Sequence, residues 1–445
     1  MDFSQLISAF GGTIWAALAL ILALSVIVAV HEFGHYIVGR WTGIHAEVFS
    51  IGFGRPLWSR VDRRGTRWQI ALWPLGGFVR FMGDSNAASG PDGAALAGLS
   101  VAERRATMQG APLWARTATV LAGPLSNFIL TFLVFCGVLF WNGMPTDRAF
   151  VGAIASTPFE GPSLQTGDLI LALNGQPVAD RAAFRQLAET LPAAPEVDYL
   201  VQRGADQVTV KGPHPQPALI GSVIMNSAAY AADIRPGDVV TGADGTKIWS
   251  FNQLPPLVTA GEGAPVDLVI WRAGQEYRVQ LTPKITAFPA EGGGFENAYK
   301  IGLGSAPLFE PETRRSGLLE TPELAAEATW RLGVTTLSGL WSIVTGAISS
   351  CNLSGAIGIA KVVAQASQSG LEVFLQTIAI LSLGIGLLNL IPIPVLDGGH
   401  LMFHAWEAVT GHPPSDQVLR VLMAIGLTLI LTLMIYALSN DLTCP

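Results

Sequence analysis

The sequence predicts a polytopic α-helical membrane protein: four transmembrane helices, a membrane-associated β-hairpin or loop, and a duplicated α+β insertion. Three observations predict it. Half of the 445 residues are hydrophobic and only 13% are charged, about half the charge of an ordinary soluble domain. The apolar residues gather into long uncharged runs, as bilayer-spanning chains require. Between residues 147 and 330 the composition turns polar and a pattern repeats.

Five stretches lack Asp, Glu, Lys and Arg for long enough to consider as spans: 3–30, 117–146, 332–360, 373–396 and 421–440. A spanning helix needs about 20 such residues. Trp114 and Trp141 bracket the second stretch and suit the two interfacial belts. The third differs. It carries Gly333, Gly339, Gly346, Gly355 and Gly358 and is thin in Leu, Ile and Val. The N-terminal run has neither a basic leader nor a small-residue cleavage site, and reads as a retained helix. Nine arginines from Arg40 to Arg105, flanked by apolar runs, mark a cytoplasmic face. Excess acid in the middle of the chain excludes a basic nucleic-acid groove. Cys136, Cys351 and Cys444 show no spacing of a disulfide framework or thiolate metal site, and are expected to be inert.

The polar middle holds the repeat. Gly167-Asp168-Leu169-Ile170 precedes Asn174-Gly175, and 70 residues later Gly237-Asp238-Val239-Val240 precedes Asp244-Gly245. The Asn-Gly and Asp-Gly pairs predict tight turns between strands. Each copy continues with a helix-like stretch, 182–191 or 251–258, and a strand, 197–203 or 266–272. The arrangement resembles two tandem PDZ domains, over 147–215 and 216–308. Such modules bind extended peptides by adding a strand, so peptide C-termini or periplasmic segments of a substrate are the expected partners. Plain spacers with closed grooves are the alternative. Between the first two spans, 69–80 alternates like a strand and is broken by Trp73-Pro74-Leu75-Gly76-Gly77. Paired glycines in a strand mark a place where another backbone comes close. This predicts a substrate-binding edge, with a surface hairpin as the alternative.

The chemistry concentrates in His31-Glu32-Phe33-Gly34-His35. Histidines four apart share one face of a helix and can ligate one zinc ion. Glu32 beside them is placed to act as general base toward water. Ionisable groups at the end of an apolar helix are costly unless they function. A catalytic zinc needs a third protein ligand and an open position. Asp397 is the best candidate, following Asn389 and the helix-ending Pro392 and Pro394. Gly398 and Gly399 are expected to form a turn that aims its carboxylate inward. His400 competes as a ligand but is expected to hydrogen-bond nearby or face the interface.

This pairing constrains topology. The histidines end the first span and Asp397 follows the fourth stretch, so an even number of crossings must separate them. With 117–146 and 373–396 crossing, 332–360 is membrane-associated but does not span. The arginine-rich segment then puts the catalytic side in the cytoplasm, and the PDZ-like pair and both termini outside it. The expected division is 1–40, first helix; 41–114, cytoplasmic or re-entrant β region; 115–146, second helix; the PDZ-like pair; 309–371, non-spanning; 372–397, third helix; and 418–440, fourth helix.

His31–His35, Gly52-Phe53-Gly54, Leu75-Gly76-Gly77-Phe78-Val79, Gly123-Pro124-x-x-Asn127, the PDZ-like pair and 389–399 together resemble the site-2 protease family of intramembrane zinc metalloproteases. The resemblance covers nearly the whole chain. It implies a multi-pass enzyme of a bacterial inner membrane using Zn2+. The implied substrates are single-span membrane proteins, such as an already trimmed anti-sigma factor, and remnant signal peptides, cut in or beside the bilayer. Carried over, it makes His31, His35 and Asp397 the ligands and Glu32 the base. Asn389 and Pro394, with Leu75, Gly76, Gly77 and Phe78 on an edge strand, become the substrate contacts. One departure is Ala356, where relatives often have Pro. Two other classes compete: a non-catalytic, membrane-anchored PDZ scaffold with a structural zinc, and a metal transporter. A structural site needs a fourth protein ligand and no base, and a transporter shows its repeat in the membrane.

Overall fold

The computed structural model describes residues 3–84, 99–159, 164–224, 227–289, 295–317, 319–347, 351 and 353–443. Two compact units emerge: residues up to 139 with 318–344 and 350–444, and the insertion of 140–317.

Among its described residues the first unit has seven long helices: α1 (Phe3–Trp41), α2 (Leu113–Asn142), α3 (Glu320–Val344), α4 (Ala356–Gln368), α5 (Leu371–Asn389), α6 (Asp397–Thr410) and α7 (Asp416–Thr443). Among the described residues four helices are long and apolar enough to cross a membrane: Ile14–Trp41, Leu113–Asn142, Leu371–Asn389 and Gln417–Thr443. The stretch 332–360 contributes to α3 and α4, neither of which is among these four. The first of these helices runs past His35 to Trp41.

Small residues let the spans approach, which is how helices pack where lipid removes the hydrophobic drive. Ala19, Ala23 and Ile27 of α1 are buried against Val363 of α4 and Ile378 of α5. At Gly34 a Cβ would overlap the Ala122 carbonyl of α2. The start of α4 is capped from afar: the Asp441 carboxylate, near the end of α7, accepts from the amides of Gly355, Ile357 and Gly358 at 2.9–3.0 Å. These are orphan donors of a first turn. Their satisfaction lets Ala356 open the helix without the Pro that is favoured at a first helical position. Cysteine usage needs a correction. Cys351 is disulfide-bonded and not an inert thiol; Cys136 is free, and Cys444 lies outside the described residues.

Strands β1 (Ala46–Val61) and β2 (Arg67–Phe81) form a hairpin that folds back on itself. Residues 46–51 pair with 77–81 on one side and with 67–70 on the other, while 56–61 pair with 67–71. Two strands thus make a curled sheet with 77–81 along one edge. Gly52 (φ +91°) and Gly76 (φ +156°) sit at the bends. A Cβ on Gly76 would overlap the Phe53 ring.

In the insertion two four-stranded sheets repeat one plan. The first comprises β5 (Leu169–Leu173), β6 (Gln176–Pro177), β7 (Val197–Arg203) and β8 (Asp206–Gly212), in the order β6-β5-β7-β8. The second comprises β10 (Val239–Ala243), β11 (Thr246–Lys247), β12 (Val266–Arg272) and β13 (Gln275–Leu281), ordered alike. Asn174-Gly175 and Asp244-Gly245 take positive φ as their turns, and each turn's side-chain oxygen accepts from the amide of Asp198 or Asp267. One segment, residues 303–314, serves several partners. It pairs with β9 (Ile220–Val223) of the second repeat, then with β4 (Val151–Ile154) of the first, then with β3 (Met144–Pro145). The first repeat is therefore completed by residues that follow the second.

Each repeat also buries one aspartate under an arginine: Asp168 with Arg203 and Asp238 with Arg272, at 2.6–2.7 Å. The Arg203 guanidinium holds the Asp168 carboxyl below its ordinary value against the opposing effect of burial. A depressed folded value means stability present above the unfolded pKa, about 3.9, and lost as pH falls through the folded one. Arg203→Met is expected to destabilise the insertion by about 1–3 kcal/mol, below a fully buried pair because the guanidinium stays partly wet. Unfolding of the two proteins at pH 7 and pH 3 checks this, and the gap should narrow in acid.

Candidate metal centre

Three elements far apart in sequence meet at one point. His31 and His35 project from one face of α1, and Asp397 is the first residue of α6. His31 Nε2 lies 3.2 Å from His35 Nε2 and 3.1 Å from Asp397 Oδ2, and His35 Nε2 lies 3.5 Å from Asp397 Oδ1. Ligands at about 2.0–2.1 Å in tetrahedral array stand about 3.3 Å apart, so the donor set fits zinc. Two imidazoles and a carboxylate leave the fourth position open, the pattern of a catalytic site. Among the described residues this is the one such cluster. His400 is outside it, and its ring packs edge-on against Phe403.

Local backbone explains how Asp397 arrives there. α5 ends at Asn389, residues 390–396 are non-helical, and α6 begins at Asp397 itself. Gly398 and Gly399 do not form the expected turn. They lie in the first turn of α6, where a Cβ would overlap the carbonyls of Leu390, Ile391 and Ile393. Their bare backbone lets the helix start against the preceding loop. α2 supplies the other wall. Gly123 faces His35 so closely that a Cβ would overlap the imidazole, and His35 Nδ1–H donates to the Thr119 carbonyl at 2.8 Å. That bond leaves Nε2 as the lone-pair nitrogen toward the cluster.

A cavity of about 360 Å³ opens onto the three groups. Glu32, Gly77, Phe78, Val79 and Asn389 also line it. Glu32 stands outside the ligand cluster and shares the cavity wall with Val79. At Gly77 a Cβ would come within 3.3 Å of Glu32 Cγ and 2.8 Å of the Ser50 carbonyl, so only glycine lets the strand edge lie this near. Gly76 sits one residue beyond, at the bend against Phe53. The side chain of Leu75 lies outside the described residues. Pro394 is not among the lining groups; its ring abuts Gly426 of α7, where a Cβ would be 3.2 Å away.

Sequence reasoning missed the far wall. Arg116 of α2 and Glu407 of α6 form a two-pronged ion pair at 2.6 and 3.0 Å. Beside it burial, and then the Arg116 cation, push His404 down to about 4. It is therefore neutral near pH 7, within 3.2 Å of Thr117 Oγ1. Nothing in a single sequence couples residues 291 positions apart.

The comparisons agree with this geometry. Peptidase family M50 matches residues 19–433. A protein of Agrobacterium fabrum, named as a zinc metalloprotease, is 33% identical over 95% of this chain and 94% of its own length. One from Rhizobium meliloti, named likewise, is 34% identical over 94% of each. The regulator of sigma-E protease RseP of Salmonella typhimurium is 32% identical over 96% of this chain and 98% of its own. The chain is a membrane-embedded zinc metalloendopeptidase, and it belongs to peptidase family M50, the site-2 proteases.

Proposed function

We propose that this enzyme hydrolyses peptide bonds in or beside the transmembrane segment of single-span proteins, with His31, His35 and Asp397 as ligands and Glu32 as general base. The observation that carries the reading is that these groups and the 77–81 strand edge share one cavity. Zinc bound by His31, His35 and Asp397 would supply Lewis-acid polarisation and a more acidic water. Glu32 takes the proton from that water and returns it to the leaving amine. A helical substrate hides its amides, and in a dry environment each freed backbone group needs a partner. The edge at Gly77 and Phe78 pairs with the unwound segment, and Asn389, at the end of α5, steadies it. Cleavage of a purified single-span substrate, with and without a chelator, tests this. Helix-breaking residues near the cut should speed the reaction, and equal rates for rigid and broken helices would refute strand pairing.

The Salmonella relative is named a regulator of sigma E, and by that likeness the substrate class is a trimmed anti-sigma factor, with remnant signal peptides as a second group. The location is a bacterial inner membrane, with the catalytic centre toward the cytoplasm. Nine arginines beside the first span support that side. The disulfide at Cys351, between α3 and α4, supports an oxidising compartment opposite.

The two PDZ-like repeats then act outside the membrane as a size filter against untrimmed substrates, or as grooves for new C-termini. Because β3 pairs with Thr313 and Arg314, excising 147–311 leaves that ladder intact. The shortened enzyme is expected to cut untrimmed substrate that the full chain rejects. An unchanged rejection would remove the filter.

A further inference from the structure

Asn127 has no part in the chemistry described above, yet it is fully buried and touches a ligand. Its amide nitrogen lies 3.3 Å from His31 Nδ1, while its Oδ1 is buried without a hydrogen-bond partner. Its backbone is held in place by two helices. The Asn127 carbonyl accepts from Thr131 Oγ1 at 3.0 Å and from Ser382 Oγ of α5 at 3.2 Å. Gly386 of α5 leaves room for it, since a Cβ there would be 3.1 Å from Asn127 Cβ.

The direction of the amide follows from the metal. His31 faces the cluster through Nε2, which must be unprotonated to bind zinc. A neutral imidazole then carries its proton on Nδ1. An NH2 group facing that N–H would set two donors against each other. Amide oxygen and nitrogen are alike in shape, and their assignment is settled by the hydrogen-bond network. Turned over, the Asn127 amide places Oδ1 on His31 Nδ1–H and gives the orphaned oxygen its partner.

We propose that Asn127 is the positioning residue of His31, accepting from Nδ1–H through Oδ1 and so holding Nε2 free for the metal. With the Thr119 carbonyl on His35, α2 sets the tautomer of both histidines. The convergence is natural in one helix: carbonyls point toward its C-terminus, whereas side chains tilt toward its N-terminus, so residues 119 and 127 reach toward each other.

The proposal rests on His31, His35 and Asp397 being the ligands, and the test separates the two. Zinc affinity of the purified full chain is measured by competition with a chelating dye for wild type, Asn127→Asp, Asn127→Leu and His35→Ala. Asn127→Leu, which has no acceptor, is expected to lose about 10- to 100-fold in affinity, as loss of an outer-shell partner does. Asn127→Asp, an acceptor on both oxygens, should stay within a few-fold of wild type. Equal losses in the two variants would overturn the proposal, and so would wild-type affinity in Asn127→Leu. Should the leucine variant not fold, the aspartate variant decides alone, since a donor role predicts a large loss there. Retention of zinc by His35→Ala would instead reject the ligand assignment.

Discussion

Glu32→Gln is expected to bind zinc with wild-type stoichiometry and to cut a single-span substrate at least about 100-fold more slowly, the lower range of general-base contributions. Glutamine keeps the shape and polarity of the side chain but cannot accept a proton from water. The three groups that converge at 3.1–3.5 Å do not include Glu32, so the metal has no reason to leave. Zinc content by elemental analysis and cleavage by gel assay separate the two properties. Wild-type turnover would remove Glu32 from the chemistry, and loss of zinc would make it a ligand. The result also decides against a membrane-anchored scaffold with a structural zinc, in which this substitution would change nothing that cleavage reports.

What could be read in advance divides along sequence distance. His31 and His35 were legible because a spacing of four is a statement about one helix face. Asp397 was legible from its surroundings, two prolines that end the preceding helix and two glycines that follow, and its pairing with the histidines then fixed the parity of membrane crossings. The demotion of 332–360 came from the same count. The curled hairpin was out of reach, because one stretch of β1 pairs with two stretches of β2 and periodicity reports only that strands exist. The loan of residues 303–314 to both repeats was hidden for the same reason. Gly398 and Gly399 show the commonest error. Paired glycines were read as conformational freedom, whereas their role is the absence of a side chain at a helix–loop contact. Asn127 stood inside a quoted motif, but its role depends on a histidine 96 positions away.

The same distinction between freedom and absence gives the second large effect, at Gly123. An alanine there is favoured by about 1 kcal/mol in helix propensity, and Gly137 on the same helix has nothing within 4 Å of a built Cβ. Gly137→Ala is therefore expected to be neutral or slightly stabilising. At Gly123 the new methyl would fall on the His35 imidazole, and the ring cannot yield. Its Nδ1 is tied to the Thr119 carbonyl at 2.8 Å and its Nε2 belongs to the cluster. Overpacking a filled site costs about 1–3 kcal/mol, more than the propensity gain, and relief comes only by moving His35 away from its partners. Gly123→Ala is thus expected to lose most of its zinc and with it cleavage, while Gly137→Ala keeps both. Metal content of the two variants after gel filtration gives the comparison. Equal zinc in both would mean that the wall formed by α2 is softer than its contacts imply, and that His35 holds its metal without the seat that Gly123 provides.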